Sequence, residues 1–330
     1  MPGLLRMESQ RTTGTACFPG YLRLFQRGLL EERARKLEDL LNQCVLCPRK
    51  CAVNRYESSN GACGVDFRPK VAAMNIHPWE EPPISGTRGS GTIFFSGCTL
   101  KCIFCQNYPI SQMGIGRTIT AEELAGGMLK LQEQGAHNIN LVTATHQMPA
   151  VVRALCLAVQ SGLHLPIVYN TSGYERIETL QLLKDIVDVY LPDIKYDDAA
   201  AAKFCSQKED YVNYNRPALI EMWRQVGPLQ VDEHGIAWRG LLVRHMVLPE
   251  NLSGTRNCLA FLRGHVGPDV WVSLMHQYFP AYKAVTTPPL NRKVTRHEYQ
   301  QAFEALLELG LDNGYLQDFE GTGEAGCTRP

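Results

Sequence analysis

Residues 96–108 read SGCTLKCIFCQNY, and the three cysteines in this stretch, Cys98, Cys102 and Cys105, govern the reading of the whole chain. Their spacing is C-x3-C-x2-C. Three thiolates so close in sequence suit a soft metal or an iron–sulfur cluster. A cube of four irons normally takes four ligands, so three cysteines leave one iron open to an outside molecule. A structural zinc would close with a fourth Cys or His, yet the next cysteine is Cys156. Three unligated thiols on one turn have little packing rationale.

The triplet follows a short apolar run, GTIFFS at 91–96. Similar runs recur at 138–144, 166–170, 186–191, 239–248 and 270–274, with helical patterns between them. Thr120 with Glu123 forms a capping box that opens a helix over 121–134. Pro149 falls in the first turn of the next helix, where a missing N–H costs little. Further helices are predicted near 175–184, 198–226, 255–264 and 295–310. Strand–helix alternation with spacers of this length means a parallel α/β sheet. Six units are too few for a closed eight-stranded barrel; a six-stranded open barrel and a doubly wound sheet both fit. The cysteine triplet then lies at the C-terminal end of the first strand, where α/β barrels keep their chemistry.

Toward the N-terminus, residues 20–43 carry leucines at helical spacing and read as one amphipathic helix, and residues 1–18 read as loose. Residues 80–90 (EEPPISGTRGS) are turn-rich punctuation. The last residues, GTGEAGCTRP, read as a mobile tail. Cys44, Cys47, Cys51 and Cys63 form a second group, C-x2-C-x3-C-x11-C. Four thiolates within 20 residues can close a tetrahedral zinc site or hold a second iron–sulfur cluster; free thiols are the remaining alternative. Cys17, Cys156, Cys205, Cys258 and Cys327 stand alone and read as ordinary buried or tail thiols.

The chain has 330 residues, of which 45% are hydrophobic and 20% charged. This excludes disorder as the main state. The 33 basic and 33 acidic residues cancel, which argues against a nucleic-acid partner. No run reaches the ~18 apolar residues of a membrane span. Arg6, Glu8, Arg11 and Arg23 interrupt any signal-peptide core. The expected location is cytoplasmic, where thiols stay reduced. Seven of the twelve cysteines lie between 44 and 105, and in that compartment such a group reads as metal ligation before disulfides.

The triplet, with aromatic Phe104 just before its third cysteine, resembles the signature of the radical S-adenosylmethionine (SAM) superfamily. The likeness runs from about residue 44 to about 310. It extends through CVLCPRKC, GTIFFSGCTLKCIFCQNYPIS, GAHNINLVTATH, PIVYNTSGYE, DVYLPDIKYDD, VRHMVLPEN and SLMHQYFP. Within the superfamily the chain is similar to the activating enzymes of glycyl radical enzymes, and in particular to the PflX-like group. The resemblance implies a partial (β/α)6 parallel barrel over 81–312, preceded by a tail and helix (1–43) and a Cys-rich segment (44–80), and followed by a tail (313–330). It implies a [4Fe–4S] cluster on Cys98, Cys102 and Cys105. The amino and carboxylate groups of SAM bind the open iron, and one electron cleaves the sulfonium to a 5′-deoxyadenosyl radical. The implied partners are an electron donor such as flavodoxin or ferredoxin and a glycyl radical enzyme whose glycine loses hydrogen. A small molecule, a peptide or RNA is the alternative substrate. A Cys-rich metal-binding module without catalysis is the reading from another class.

SAM is a zwitterion with an added sulfonium, so its site needs donors, acceptors and apolar walls, and the strand ends offer them. Thr143 or Thr145, in TATH, can accept from the ammonium, although the relatives carry Gly-Gly-Glu there; Thr145 can equally cap a helix. Asn170 and Ser172, in NTSG, match an Asp-Thr-Asn-Gly turn of the relatives. Asp193 and Lys195 are two apart and share one face of a strand, as site residues or as a plain ion pair. Arg244 lies opposite in face to Val243 and His245, and its planar fork suits a carboxylate. Phe104, Val247 and Leu248 are candidates for the adenine wall. His137, His146, His245 and His276 stand near strand ends and read first as hydrogen-bonded core or rim residues. His276 and Gln277 could line the substrate side of the mouth.

Overall fold

The computed structural model describes residues 18–317 and the short strand at 327–328. Cys17, the N-terminal stretch expected to be loose and most of the expected C-terminal tail lie outside the described residues. The strands are β1 (Lys70–His77), β2 (Ser90–Phe95), β3 (Arg117–Thr118), β4 (Ile139–Val142), β5 (Ile167–Thr171), β6 (Val189–Pro192), β7 (Gln230–Val231), β8 (Ala237–Met246), β9 (Trp271–Met275), β10 (Gly314–Gln317) and β11 (Cys327–Thr328). Seven of them run parallel as neighbours in the order β10-β9-β8-β6-β5-β4-β2. Antiparallel strands continue this row at both ends: β1 and then β3 beyond β2, and β11 beyond β10. β7 pairs with β8. The row does not close, as a partial barrel requires.

The helices are α1 (Gly20–Gln26), α2 (Leu29–Asp39), α3 (Pro82–Ser85), α4 (Tyr108–Ser111), α5 (Ala121–Glu133), α6 (Met148–Gln160), α7 (Ile177–Leu182), α8 (Ala199–Ser206), α9 (Tyr211–Val226), α10 (Thr255–Phe261) and α11 (Arg296–Glu308). The capping boxes Thr120–Glu123 and Thr295–Glu298 open α5 and α11. Pro149 sits in the first turn of α6.

Side chains on the parallel strands alternate between two apolar layers. Ile139, Leu141, Tyr169, Tyr190, Leu241 and Val243 belong to the large core shared with the helices. Val168, Val189, Leu191, Leu242, Trp271 and Tyr315 form a separate cluster on the other face, with Ile84 of α3. Strands covered on both faces read as nearly continuous apolar runs, and that is why six were visible in the sequence.

Three expectations require correction. The single helix over 20–43 is two helices, α1 and α2, broken at Gly28 in the left-handed region at φ 70°. The helix over 198–226 is also two, because Gln207 turns left-handed at φ 55° and ends α8. The stretch from 313 is not all tail. β10 lies there, with Tyr315 packed 5.7 Å from Trp271 between ring centroids, and adds a seventh parallel strand.

Candidate active site

Parallel pairing delivers the C-terminal ends of the strands to one edge of the sheet, and the cysteine loop leaves β2 there. Hydrogen bonds between its backbone and other segments hold it. The Ile103 N–H donates to Cys205 O at 2.8 Å, the Ala284 N–H to Ile103 O at 3.1 Å, and the Gln112 amide to Cys102 O at 3.1 Å. Cys98 and Cys102 are buried and Cys105 half-buried, all as free thiols. Each sulfur has a polar neighbour: the Leu100 N–H at 3.4 Å from Cys98, the Ser206 hydroxyl at 3.0 Å from Cys102, and the Ser111 hydroxyl at 3.1 Å from Cys105.

Burial pushes the Cys102 thiol up to about 12, against the pull of the Lys195 ammonium. Burial raises Cys105 as well. A coordinating metal displaces such protons outright, and N–H and O–H donors to sulfur favour the thiolate that results. Among the described residues, no three His, Cys, Asp or Glu side chains converge on a point that a single ion could occupy. A cluster gives each thiolate its own iron and takes a wider spacing. The donor set therefore fits an iron–sulfur cluster.

Behind the loop runs a seam of alternating charge. Lys195, near enough to Cys102 to act on its thiol, pairs with Asp193. Burial pulls the Lys195 ammonium down, but Asp193 and the Cys102 sulfur outweigh it and hold the ammonium above its usual value. Asp193 is bridged through the backbone to Arg244. The Arg244 guanidinium in turn faces two carboxylates, with Nε 3.2 Å from Glu81 and NH1 3.7 Å from Glu80. Glu80 also accepts from the side-chain amides of Asn140 at 3.1 Å and Asn170 at 3.5 Å. Burial pushes the Glu80 carboxyl up, with Arg244 opposing.

The face assignment of Arg244 holds. Its neighbours Leu242 and Val243 belong to opposite layers, and His245 turns away to Ile194 O and the Thr255 hydroxyl. Glu80 and Glu81 were missed. They sit in the stretch read as punctuation, and their partners come from β4, β5 and β8. Adjacent acids beside Trp79 and an apolar turn are the only local signal. Two acceptors of this seam, Glu81 Oε2 and Asn140 Oδ1, are buried without a partner.

The remaining expected residues divide. Phe104 is buried and meets Tyr278 edge-on at 5.9 Å. Thr143 is half-buried at the end of β4, in the left-handed region at φ 57°. Ser172 offers its carbonyl to Tyr211 at 2.9 Å. Val247 and Leu248 are buried in the same apolar core that holds Phe104, Cys98 and Cys102. Thr145 does not cap α6. Its hydroxyl donates to the buried Glu175 at 2.6 Å, alongside Tyr169 at 2.8 Å and Thr171. His146 and His245 are core residues that burial lowers to about 3 and about 4, so both are neutral near pH 7.

The sequence profile of the radical SAM superfamily matches residues 92–218, from β2 into α9. The chain belongs to the radical SAM superfamily. This radical SAM chain is 29% identical over 292 residues to an uncharacterised protein of Methanocaldococcus jannaschii, covering 86% of this chain and 80% of that one. A second uncharacterised protein of the same organism is 24% identical over 308 residues, covering 87% and 84%. The pyruvate formate-lyase-activating enzyme of Clostridium pasteurianum is 32% identical over 159 residues, covering 45% of this chain and 66% of that enzyme. Membership makes the chain a radical SAM enzyme and implies a [4Fe–4S] cluster and SAM. Among the described residues, no helix is long and apolar enough to cross a membrane.

Proposed function

We propose that Cys98, Cys102 and Cys105 hold the cluster, that the seam from Lys195 to Asn140 binds SAM, and that the enzyme acts on a glycine in a partner protein. With cluster and SAM bound, the chemistry supplied is one-electron cleavage of the sulfonium, giving methionine and a 5′-deoxyadenosyl radical that takes a hydrogen atom. The protein's own task is placement. Lys195 and Arg244 present cations to a carboxylate. Glu81 Oε2 and Asn140 Oδ1 present acceptors to an ammonium. The apolar cluster beneath them excludes water.

The observation that carries the reading is the continuity of this seam with the cysteine loop: Lys195 pairs with Asp193, and Tyr196, the next residue, reaches the Cys102 sulfur with its hydroxyl at 4.0 Å. A protein substrate is supported by the rim. Tyr108 and Tyr282 stack at 5.2 Å and join two segments that expose Met113, Ile115, Phe279 and Val285 to solvent. Exposed apolar groups gathered on neighbouring segments favour a macromolecular contact. The partial likeness to an activating enzyme points the same way.

The test is anaerobic. Protein reconstituted with iron and sulfide receives dithionite and SAM, and 5′-deoxyadenosine is quantified. The Cys98/Cys102/Cys105→Ala variant is expected to form none. With a candidate glycyl radical enzyme added, the expected product is an organic radical on that partner, whose EPR splitting collapses when its glycines carry deuterium at Cα. Robust SAM cleavage with no radical on any such partner would remove the glycine assignment and leave a small molecule, peptide or RNA as substrate.

A further inference from the structure

The first cysteine group belongs neither to the seam nor to the radical loop, yet it is built in the same way. Residues 44–53 fold back on themselves: the Cys44 N–H donates to Val53 O at 2.9 Å, the Ala52 N–H to Cys44 O at 3.0 Å, and the Lys50 N–H to Cys47 O at 3.1 Å. Residues 61–65 close over this turn, with the Ala62 N–H donating to the Cys51 sulfur at 3.3 Å. These bonds gather the four cysteines into one small knot, and all four are free thiols. As at the Cys98 loop, no three of them converge on a point that a single ion could occupy, and a cluster, which gives each thiolate its own iron, suits the wider spacing.

This turn is docked onto the mouth of the barrel. Arg176 donates to Val45 O, and the Thr179 hydroxyl to Leu46 O at 2.7 Å. Arg55, 1% exposed, donates to His146 O at 2.7 Å and Asp66 O at 2.6 Å, while the His146 ring bonds Ser96 O at 2.8 Å. Gly97, at φ +83°, lets the Cys63 carbonyl approach so closely that a Cβ there would strike it. The residue before Cys98 thus rests on the backbone of Cys63.

We infer that Cys44, Cys47, Cys51 and Cys63 form a second iron–sulfur centre, held by four thiolates, whose loading fixes the position of the Cys98 loop. Each thiol releases its proton to solvent as its sulfur–metal bond forms. The inference does not depend on which substrate the enzyme uses. It is tested on the full chain carrying Cys98/Cys102/Cys105→Ala, which cannot hold the radical cluster. After anaerobic reconstitution, iron, acid-labile sulfide and zinc are counted per chain. One retained centre is expected, as about four irons with matching sulfide; a single zinc in its place would overturn the inference. Adding Cys44/Cys47/Cys51/Cys63→Ser is expected to abolish it. A triple variant as free of metal as the sevenfold variant would overturn the inference. If the triple variant does not fold, differential alkylation of the wild type decides. Cys51 and Cys63 are only half-buried, and they are expected to resist iodoacetamide until a chelator strips the metal. Immediate labelling of both in metal-replete protein overturns the proposal. Amide exchange at residues 96–100 is expected to slow on loading of the triple variant, and unchanged exchange would sink the coupling to the Cys98 loop.

Discussion

Arg244 shows how much rests on one side chain. Its guanidinium faces Glu80 and Glu81, whose side chains are 8% and 6% exposed. Arg244→Met strands two acids, a type of change that costs about 3–5 kcal/mol. Chemical denaturation is expected to show that loss, and adding Glu80→Gln and Glu81→Gln is expected to recover part of it. A wild-type midpoint for Arg244→Met would mean that the acids find water instead. For SAM cleavage, Lys195→Met is expected to slow 5′-deoxyadenosine formation at least ~10-fold, or about 1.4 kcal/mol of barrier. Glu175 offers a pH test. Burial raises its carboxyl to about 7, against the hydroxyls of Thr145, Thr171 and Tyr169. The folded chain therefore holds this proton more tightly than the unfolded chain. The resulting stability is complete below the ordinary carboxylate range and is lost as pH rises through about 7. Glu175→Gln stays neutral, so its stability relative to wild type is expected to climb over that window by a few kcal/mol; a parallel pair of pH–stability curves would refute this. Cys98, Cys102, Cys105, Asp193, Lys195 and Arg244 were legible because spacing and strand alternation are local properties. Glu80 and Glu81 were not, since Asn140 and Asn170 lie 60 and 90 residues further along the chain.

At the scale of elements, the boundaries that could be read were those with a side chain devoted to them. Thr120 accepts from the Glu123 N–H, and Glu123 returns to the Thr120 N–H. Thr120→Ala is expected to cost about 1 kcal/mol, seen as a lower urea midpoint with an unchanged slope. A loss of several kcal/mol would show that α5 needs this cap to form at all. The breaks at Gly28 and Gln207 were illegible because the apolar periodicity continues across them. Leu24, Leu30 and Leu37 are all buried although a left-handed residue interrupts the helix. β10 escaped notice for a different reason. It is four residues long, and pairing with its neighbours β9 and β11 makes it a strand.

For the whole molecule, the rim and the floor act together. Met113, Ile115, Phe279 and Val285 are offered as the contact for a protein substrate. Replacing Met113 and Phe279 by Ser is expected to weaken radical transfer to that partner while leaving partner-free SAM cleavage within about twofold, since exposed sites carry little stability. Equal losses in both assays would place these residues in the chemistry itself. The floor has a consequence for the order of events. Ile84 and the inward Val168, Val189, Leu191 and Leu242 fill the inner face below the charged seam, so among the described residues that face offers a polar ligand no partner. The proposed partner contact overhangs the same strand ends at which the proposed SAM site opens. On that reading SAM is expected to enter before the partner docks, and the spent nucleoside to leave after it. Such a site would be a cul-de-sac, with the traffic rule last in, first out.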